Sequence, residues 1–287
     1  MLDTVNTYYR LTKPGIIYGN ALAAIGGFML ASQGQFDVPL FAAILTGSSL
    51  VIASGCVFNN YLDREIDALM GRTRQRALVS GEVSGRNAIA YATVLSLAGF
   101  AVLAAYTNWL TVAIGLVGIV FYVVVYGFAK RHSVHGTLIG TISGATPPVA
   151  GYCAVTGRFD MGALLLFLIL VFWQMPHFYA IAMYRANDYA AAKLPVLPLV
   201  KGLQATKIQI LVYIIGFMLA TALLTSFGYT GYVYLAVMTL VGFIWLKTSL
   251  QGFAASDNNL WARKMFKFSL IVLLVFCLMI SVDTTLA

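Results

Sequence analysis

Charge is what this sequence has least of. Only 10% of its 287 residues are Asp, Glu, Lys or Arg, and the acidic residues number just 10. Soluble domains carry more than twice that share, so the ordinary globular classes are excluded. Cysteine is scarce too: Cys56, Cys153 and Cys277 each lie in an apolar segment. Their spacing fits neither a zinc site nor a disulfide framework, and they are expected to be free core thiols. Low-complexity stretches are missing. No cleavable signal or transit pattern precedes the first apolar run, which begins near Pro14 after a tail carrying Arg10 and Lys13. That favours a bacterial cell inner membrane protein.

What the chain has is apolar length. It is 60% hydrophobic, with mean hydropathy +0.85. Runs of about 20 apolar residues, enough to cross a bilayer as helix, recur along it. The expected fold is an all-α polytopic membrane protein, a single domain over 1–287. About nine spans are expected, at roughly 15–32, 38–58, 88–106, 109–128, 136–155, 161–184, 207–227, 229–247 and 266–285. With the N-terminus in the cytoplasm, every Lys and Arg except Arg158 falls on the cytoplasmic side. That bias fixes the expected orientation. It also accounts for the net charge of +8 without nucleic acid as a partner; the partner implied is the lipid bilayer. Function is expected on the cytoplasmic face, where the long polar loops at 59–87 and 185–206 lie.

The first of those loops opens with Asn59, Asp63 and Asp67, each four residues apart. On a helix these share one face, with about 6 Å between rungs. An amide and two carboxylates are costly beside lipid, and ionisable residues there are by default functional. They suit Mg²⁺, a hard cation that takes oxygen ligands and shares them with phosphates. Arg72, Arg74 and Arg76 follow, and arginine binds phosphate oxygens through paired hydrogen bonds. Together they point to an enzyme acting on a lipid diphosphate. An ion-coupled transporter is the distant alternative, but such sites sit near the bilayer midplane in broken helices.

Other candidates are spread along the chain. Tyr126, Lys130 and Arg131 close the fourth span; they are either diphosphate ligands or an aromatic anchor with snorkelling cations. Pro147-Pro148 should bend the fifth span and free backbone carbonyls. Trp173 and His177 lie inside the sixth beside Pro176, Phe178 and Tyr179. That setting suits a flat, apolar, metal-containing ligand, and His132 and His135 are further candidate iron ligands. Asp188 is the one carboxylate of the 185–206 loop; it either adds to the metal site or pairs with Arg185. Asp63 and Asp188 each follow an even-numbered span, which hints at a four-helix pseudo-repeat.

The Asn59-x3-Asp63-x3-Asp67 ladder, the Tyr126-x3-Lys130-Arg131 run and the span count resemble the UbiA superfamily of intramembrane prenyltransferases. Pro147-Pro148, Pro176-His177-Phe178, Asp188-Tyr189 and Leu197-Pro198 resemble the branch of it whose acceptor is haem. The resemblance runs from Leu11-Thr12-Lys13-Pro14 to the last span. It implies a bundle around a central cavity open to the cytoplasm. It implies transfer of farnesyl from farnesyl diphosphate to a vinyl carbon of haem B, with water added, for terminal oxidase biogenesis. Contact with haem-copper oxidase assembly or other haem enzymes goes with that role. Expected metal ligands are Asn59, Asp63, Asp67 and Asp188; diphosphate ligands are Arg72, Arg76, Tyr126, Lys130, Arg131 and Lys193. Expected haem contacts are His177, Trp173, His132 and His135. Asn59, Asp63, Asp67, Lys130 and Arg131 are the expected catalytic set. Arg76-Ala77 departs from the family's frequent Arg-Pro, and Asp188 stands where many members have two aspartates, so the number of Mg²⁺ ions stays open. Prenylation of an aromatic acid or quinone precursor is the nearer alternative.

Overall fold

A computed structural model describes residues 2–284. In a bilayer every backbone polar group must find an internal partner, which leaves helices for a chain of this pattern. They are α1 (Leu2–Leu11), α2 (Pro14–Ser32), α3 (Val38–Leu69), α4 (Gly85–Tyr106), α5 (Trp109–Val120), α6 (Tyr126–His132), α7 (Gly136–Gly144), α8 (Thr146–Thr156), α9 (Met161–Tyr184), α10 (Ala186–Ala191), α11 (Leu197–Val200), α12 (Gly202–Ser226), α13 (Tyr232–Gln251) and α14 (Asn258–Val282). A π-helical turn, Phe121–Val125, joins α5 to α6. By length and composition, eight helices among the described residues can cross a membrane, with α5 through α6 counted as one.

Two expectations about spans are corrected. The fifth, at 136–155, is two short helices broken at Ala145. The prolines sit in the first turn of α8, where a missing N–H costs nothing, so the chain breaks rather than bends. The loop expected from residue 59 begins only after Leu69, because α3 runs for 32 residues. Its inward face stays buried through Asn59, Asn60, Asp63 and Asp67, so the helix continues where hydropathy falls away. Caps rather than hydropathy set other ends: Asp257 accepts from Asn259 and Leu260 N–H, starting α14 eight residues before the expected 266. The expected end of that span, at 285, lies outside the described residues. Through Pro176, α9 runs without interruption.

Packing is close where small residues meet. Gly27 lies against Pro148, and a Cβ there would fall 1.9 Å from the proline carbonyl oxygen; one at Gly151 would fall 2.2 Å from that of Ala24. These contacts lock α2 to α8. In turn α3 packs along α4, α9 against α12 and α14, and α14 against α2. The largest apolar core is built on α9 and includes Trp245, Phe217 and Phe276. All three cysteines are buried and free, as expected.

Candidate active site

The ladder faces a cavity of about 630 Å³, lined by residues from α2, α3, α5, α7, α9 and α14. Each rung accepts from a cation. Lys13 Nζ donates to Asn59 Oδ1 at 2.9 Å. Asp63 takes Lys130 through Oδ2 and Arg131 Nη2 through Oδ1 at 3.3 Å. Arg76 Nη1 donates to Asp67 Oδ2 at 2.6 Å and to Asn60 Oδ1 at 3.2 Å. Burial makes such pairs costly to break from one side.

Local structure explains how the cations reach the ladder. Asn60 Nδ2 donates to the Leu11 carbonyl at 2.8 Å and so fastens the end of α1 to α3. The next residues turn sharply. Lys13 precedes Pro14, which disfavours helical backbone, and takes left-handed angles, φ 53° and ψ 68°. That costs about 1–2 kcal/mol in a non-glycine residue. It puts Lys13 on the cavity wall, where burial pushes its pKa down to about 8. After α3, Thr73 Oγ1 donates to the Asp67 carbonyl at 2.9 Å, closing the turn that brings Arg76 back. The π-turn adds a residue ahead of Tyr126 and re-aims that helix. Tyr122 and Tyr126 then stack at 6.0 Å, and Lys130 Nζ lies 5.1 Å from the Tyr126 ring centre.

The motif of the 185–206 loop arrives at the same end. Asp188 sits against Gly71, where a Cβ would lie 3.8 Å from its Oδ1, and 3.8 Å from Arg185 Nη1. Arg185 and Tyr189 reach the cavity wall, as does Arg72. Burial raises the Tyr189 pKa, and the Arg72 charge opposes that shift. Lys193 takes φ 53° and is exposed, away from the wall.

Farther in, the walls become apolar and aromatic. His177 stacks on Trp173 at 4.9 Å and meets Phe266 at 5.0 Å. Its Nδ1 lies 2.8 Å from Ser269 Oγ, while Trp173 Nε1 donates to the Ser269 carbonyl at 2.7 Å. Ser269 Oγ donates to the Phe266 carbonyl at 2.6 Å; by acting as donor there, it accepts from His177 Nδ1–H. That leaves Nε2 as the imidazole's lone-pair nitrogen. His132 and His135 are exposed and not on this wall; His132 stacks on Phe128, whose side chain is 68% exposed, on the outer face of α6. The structure therefore gathers Asn59, Asp63, Asp67, Arg72, Arg76, Tyr126, Lys130, Trp173 and His177 at one cavity. Arg131 reaches it through Asp63. Lys13, Asn60 and Tyr122 join the site beyond the residues the sequence singles out: Asn60 as Asn59's neighbour on α3, and Lys13 and Tyr122 through a left-handed turn and a π-turn that leave no periodic trace.

Among the described residues, no three His, Cys, Asp or Glu side chains converge as a ready metal cluster. The ladder offers two carboxylates and an amide, and every oxygen that bonds there accepts from a positive group. That donor set fits a hard divalent cation whose remaining ligands come from diphosphate oxygens and water.

Residues 20–271 match the UbiA prenyltransferase family. Over 280 residues the chain is 52% identical to a protoheme IX farnesyltransferase of Yersinia pseudotuberculosis, covering 97% of this chain and 95% of that one. Two solved structures share the fold. One, described with the biosynthesis of digeranylgeranylglyceryl phosphate synthase in membranes, superposes with a TM-score of 0.78 at 18% identity, over 97% of this chain and 99% of its own. The other is a UbiA homolog from Archaeoglobus fulgidus bound to GPP and Mg²⁺, with a TM-score of 0.71 at 16% identity, over 96% and 100%. Sequence match, fold and ladder agree: this chain belongs to the UbiA prenyltransferase family, and it is a multi-pass membrane prenyltransferase.

Proposed function

We propose that this protein transfers the farnesyl group of farnesyl diphosphate to a vinyl group of haem B, with addition of water, giving haem O for terminal oxidase assembly. The observation that carries this reading is that one cavity joins the ladder and its cations to the wall of His177, Trp173 and Phe266. The near-full-length likeness to a protoheme IX farnesyltransferase supports the same acceptor.

Asn59, Asp63 and Asp67 would hold Mg²⁺, with Asp188 close by on the facing loop. When bound, Mg²⁺ supplies charge that stabilises the departing diphosphate. Arg72, Arg76, Lys130, Arg131 and Lys13 neutralise the remaining phosphate charge, an electrostatic contribution that is often the largest in catalysis. The allylic C–O bond breaks and its electron pair leaves with diphosphate. The vinyl π-pair then forms the new C–C bond to the farnesyl carbon. Water adds to the carbon left cationic beside the porphyrin and gives up a proton, so the product carries a farnesyl group and a hydroxyl. The apolar lower walls keep water from the first cation until the bond has formed. Neutral His177, with Nε2 free, orients the haem.

The ladder end faces the cytoplasm in a bacterial inner membrane. The distribution of Lys and Arg supports this orientation. Lys130 on α6 pairs with Asp63 near the end of α3, and Asp188 on α10 lies against Gly71 just after that helix. The chain between them therefore crosses and returns: α9 makes one passage and α7 with α8 the other. That supports nine crossings.

The test is a competition. Purified protein receives farnesyl diphosphate, haem B and an aromatic acid acceptor together, with Mg²⁺ or with EDTA. Prenylated haem alone, formed only with Mg²⁺, is expected. A prenylated aromatic acid with unchanged haem overturns the reading.

A further inference from the structure

A second hollow, of about 740 Å³, opens on the surface between the α13–α14 connection and the first half of α14. One face of α14 lines it: Leu260, Lys264, Lys267, Phe268 and Ile271. Their spacing of four, three, one and three puts them in one stripe. The stripe changes character along the helix. After Leu260 come its two cations, and Phe268 and Ile271 follow them; Ile271 lies about 10 Å beyond Lys264 at 1.5 Å per residue. Leu260 is 67% and Ile271 51% exposed.

The charge here is not spent within the protein. Neither Lys264 nor Lys267 makes an ion pair among the described residues. Arg263, the third cation, is held by Asn259 Oδ1 at 2.9 Å and lies over Tyr184. Asp257 is the one acid on the hollow, and its Oδ1 is turned into the helix cap, accepting from Asn259 N–H at 2.8 Å and Leu260 N–H at 3.0 Å. Arg185 lies over the same Tyr184 ring, so the hollow is at the ladder's end of the molecule. Topology asks only for cations near span ends. It does not ask that they share a hollow and a helix face with an apolar track running into the bilayer.

We propose that this hollow binds an anionic phospholipid, its phosphate on Lys264 and Lys267 and an acyl chain along Phe268 and Ile271. Two lysines above half-buried Phe268 and exposed Ile271 complement a negative headgroup on a hydrocarbon tail. The site is separate from the reaction cavity, which α14 lines with Phe266, Leu270 and Leu273.

The experiment uses full-length protein and the double variant Lys264→Gln/Lys267→Gln. Both are titrated in detergent with short-chain phosphatidylglycerol, with phosphatidylcholine of the same chains and with inorganic phosphate, and bound lipid is counted by native mass spectrometry. The wild type is expected to take phosphatidylglycerol selectively. The variant should bind it about thirtyfold more weakly, the loss expected for two surface cations. Its melting temperature without lipid and its prenyltransfer in phosphatidylcholine should match the wild type, which separates lost binding from lost folding. Equal uptake of phosphatidylcholine, unchanged phosphatidylglycerol binding by the variant, or binding of inorganic phosphate as tight as that of the lipid would each overturn the proposal.

Discussion

Arg76 and Asp67 form a one-sided ion pair: Nη1 and Oδ2 are 2.6 Å apart, the carboxylate side chain is 4% exposed and the guanidinium 28%. Removing either partner therefore has different consequences. Arg76→Ala leaves a buried carboxylate uncompensated, which costs about 3–5 kcal/mol for a fully buried pair and about 2 kcal/mol here, where solvent reaches Arg76. Asp67→Asn removes the charge and leaves Arg76 its solvent, so it should cost less. Melting temperatures should rank wild type, Asp67→Asn, Arg76→Ala in falling order. The reverse order of the two variants contradicts the pairing.

Asp63→Asn keeps the shape of its rung and removes the charge that Lys130 and Arg131 share. Turnover at saturating Mg²⁺ should fall by about 10²–10³ or more, the scale of losing one electrostatic stabiliser. The protein should stay folded. Activity within a few fold of wild type would remove Asp63 from the metal site.

The ladder was legible in the sequence because helical spacing alone brings Asn59, Asp63 and Asp67 to one face, whatever packs opposite. At Pro147-Pro148 an interruption was legible but not its form: the prolines pointed to a bend, and the chain instead breaks at Ala145 with both prolines in the first turn of α8. Lys13 was not legible: its role depends on a left-handed turn and on α1 being tied to Asn60, neither of which has a periodicity. The sequence set His177 apart, inside a span among aromatic residues, and left His132 and His135 as further candidates after the fourth span. His177 and His132 both lie on helices beside aromatic residues, but His177 faces inward to Ser269 while His132 stacks outward on exposed Phe128. Lys193 has the charge for phosphate, but its backbone turns it to solvent.

His177→Ala should weaken haem binding and shift the haem absorption spectrum while leaving farnesyl diphosphate affinity within a few fold of wild type. If the histidine only braces α9 against α14 through Ser269, both ligands should weaken together. Titrations of the variant with each ligand separate the two outcomes.

Orientation is tested by labelling. In a background without Cys56, Cys153 and Cys277, Ser80→Cys and Gln204→Cys should react with an impermeant thiol reagent only from the cytoplasmic side. Gln35→Cys should react only from the other; all three positions are exposed. Labelling of Ser80→Cys in intact cells would turn the ladder to the wrong face.

The central claim is that one cavity brings an allylic diphosphate to haem. It is tested most directly by the mass of the haem product formed from haem B, farnesyl diphosphate and Mg²⁺ in ¹⁸O-labelled water. The expected haem is heavier by a farnesyl group plus a hydroxyl, and the hydroxyl oxygen carries the label. Unchanged haem alongside released farnesol contradicts the claim.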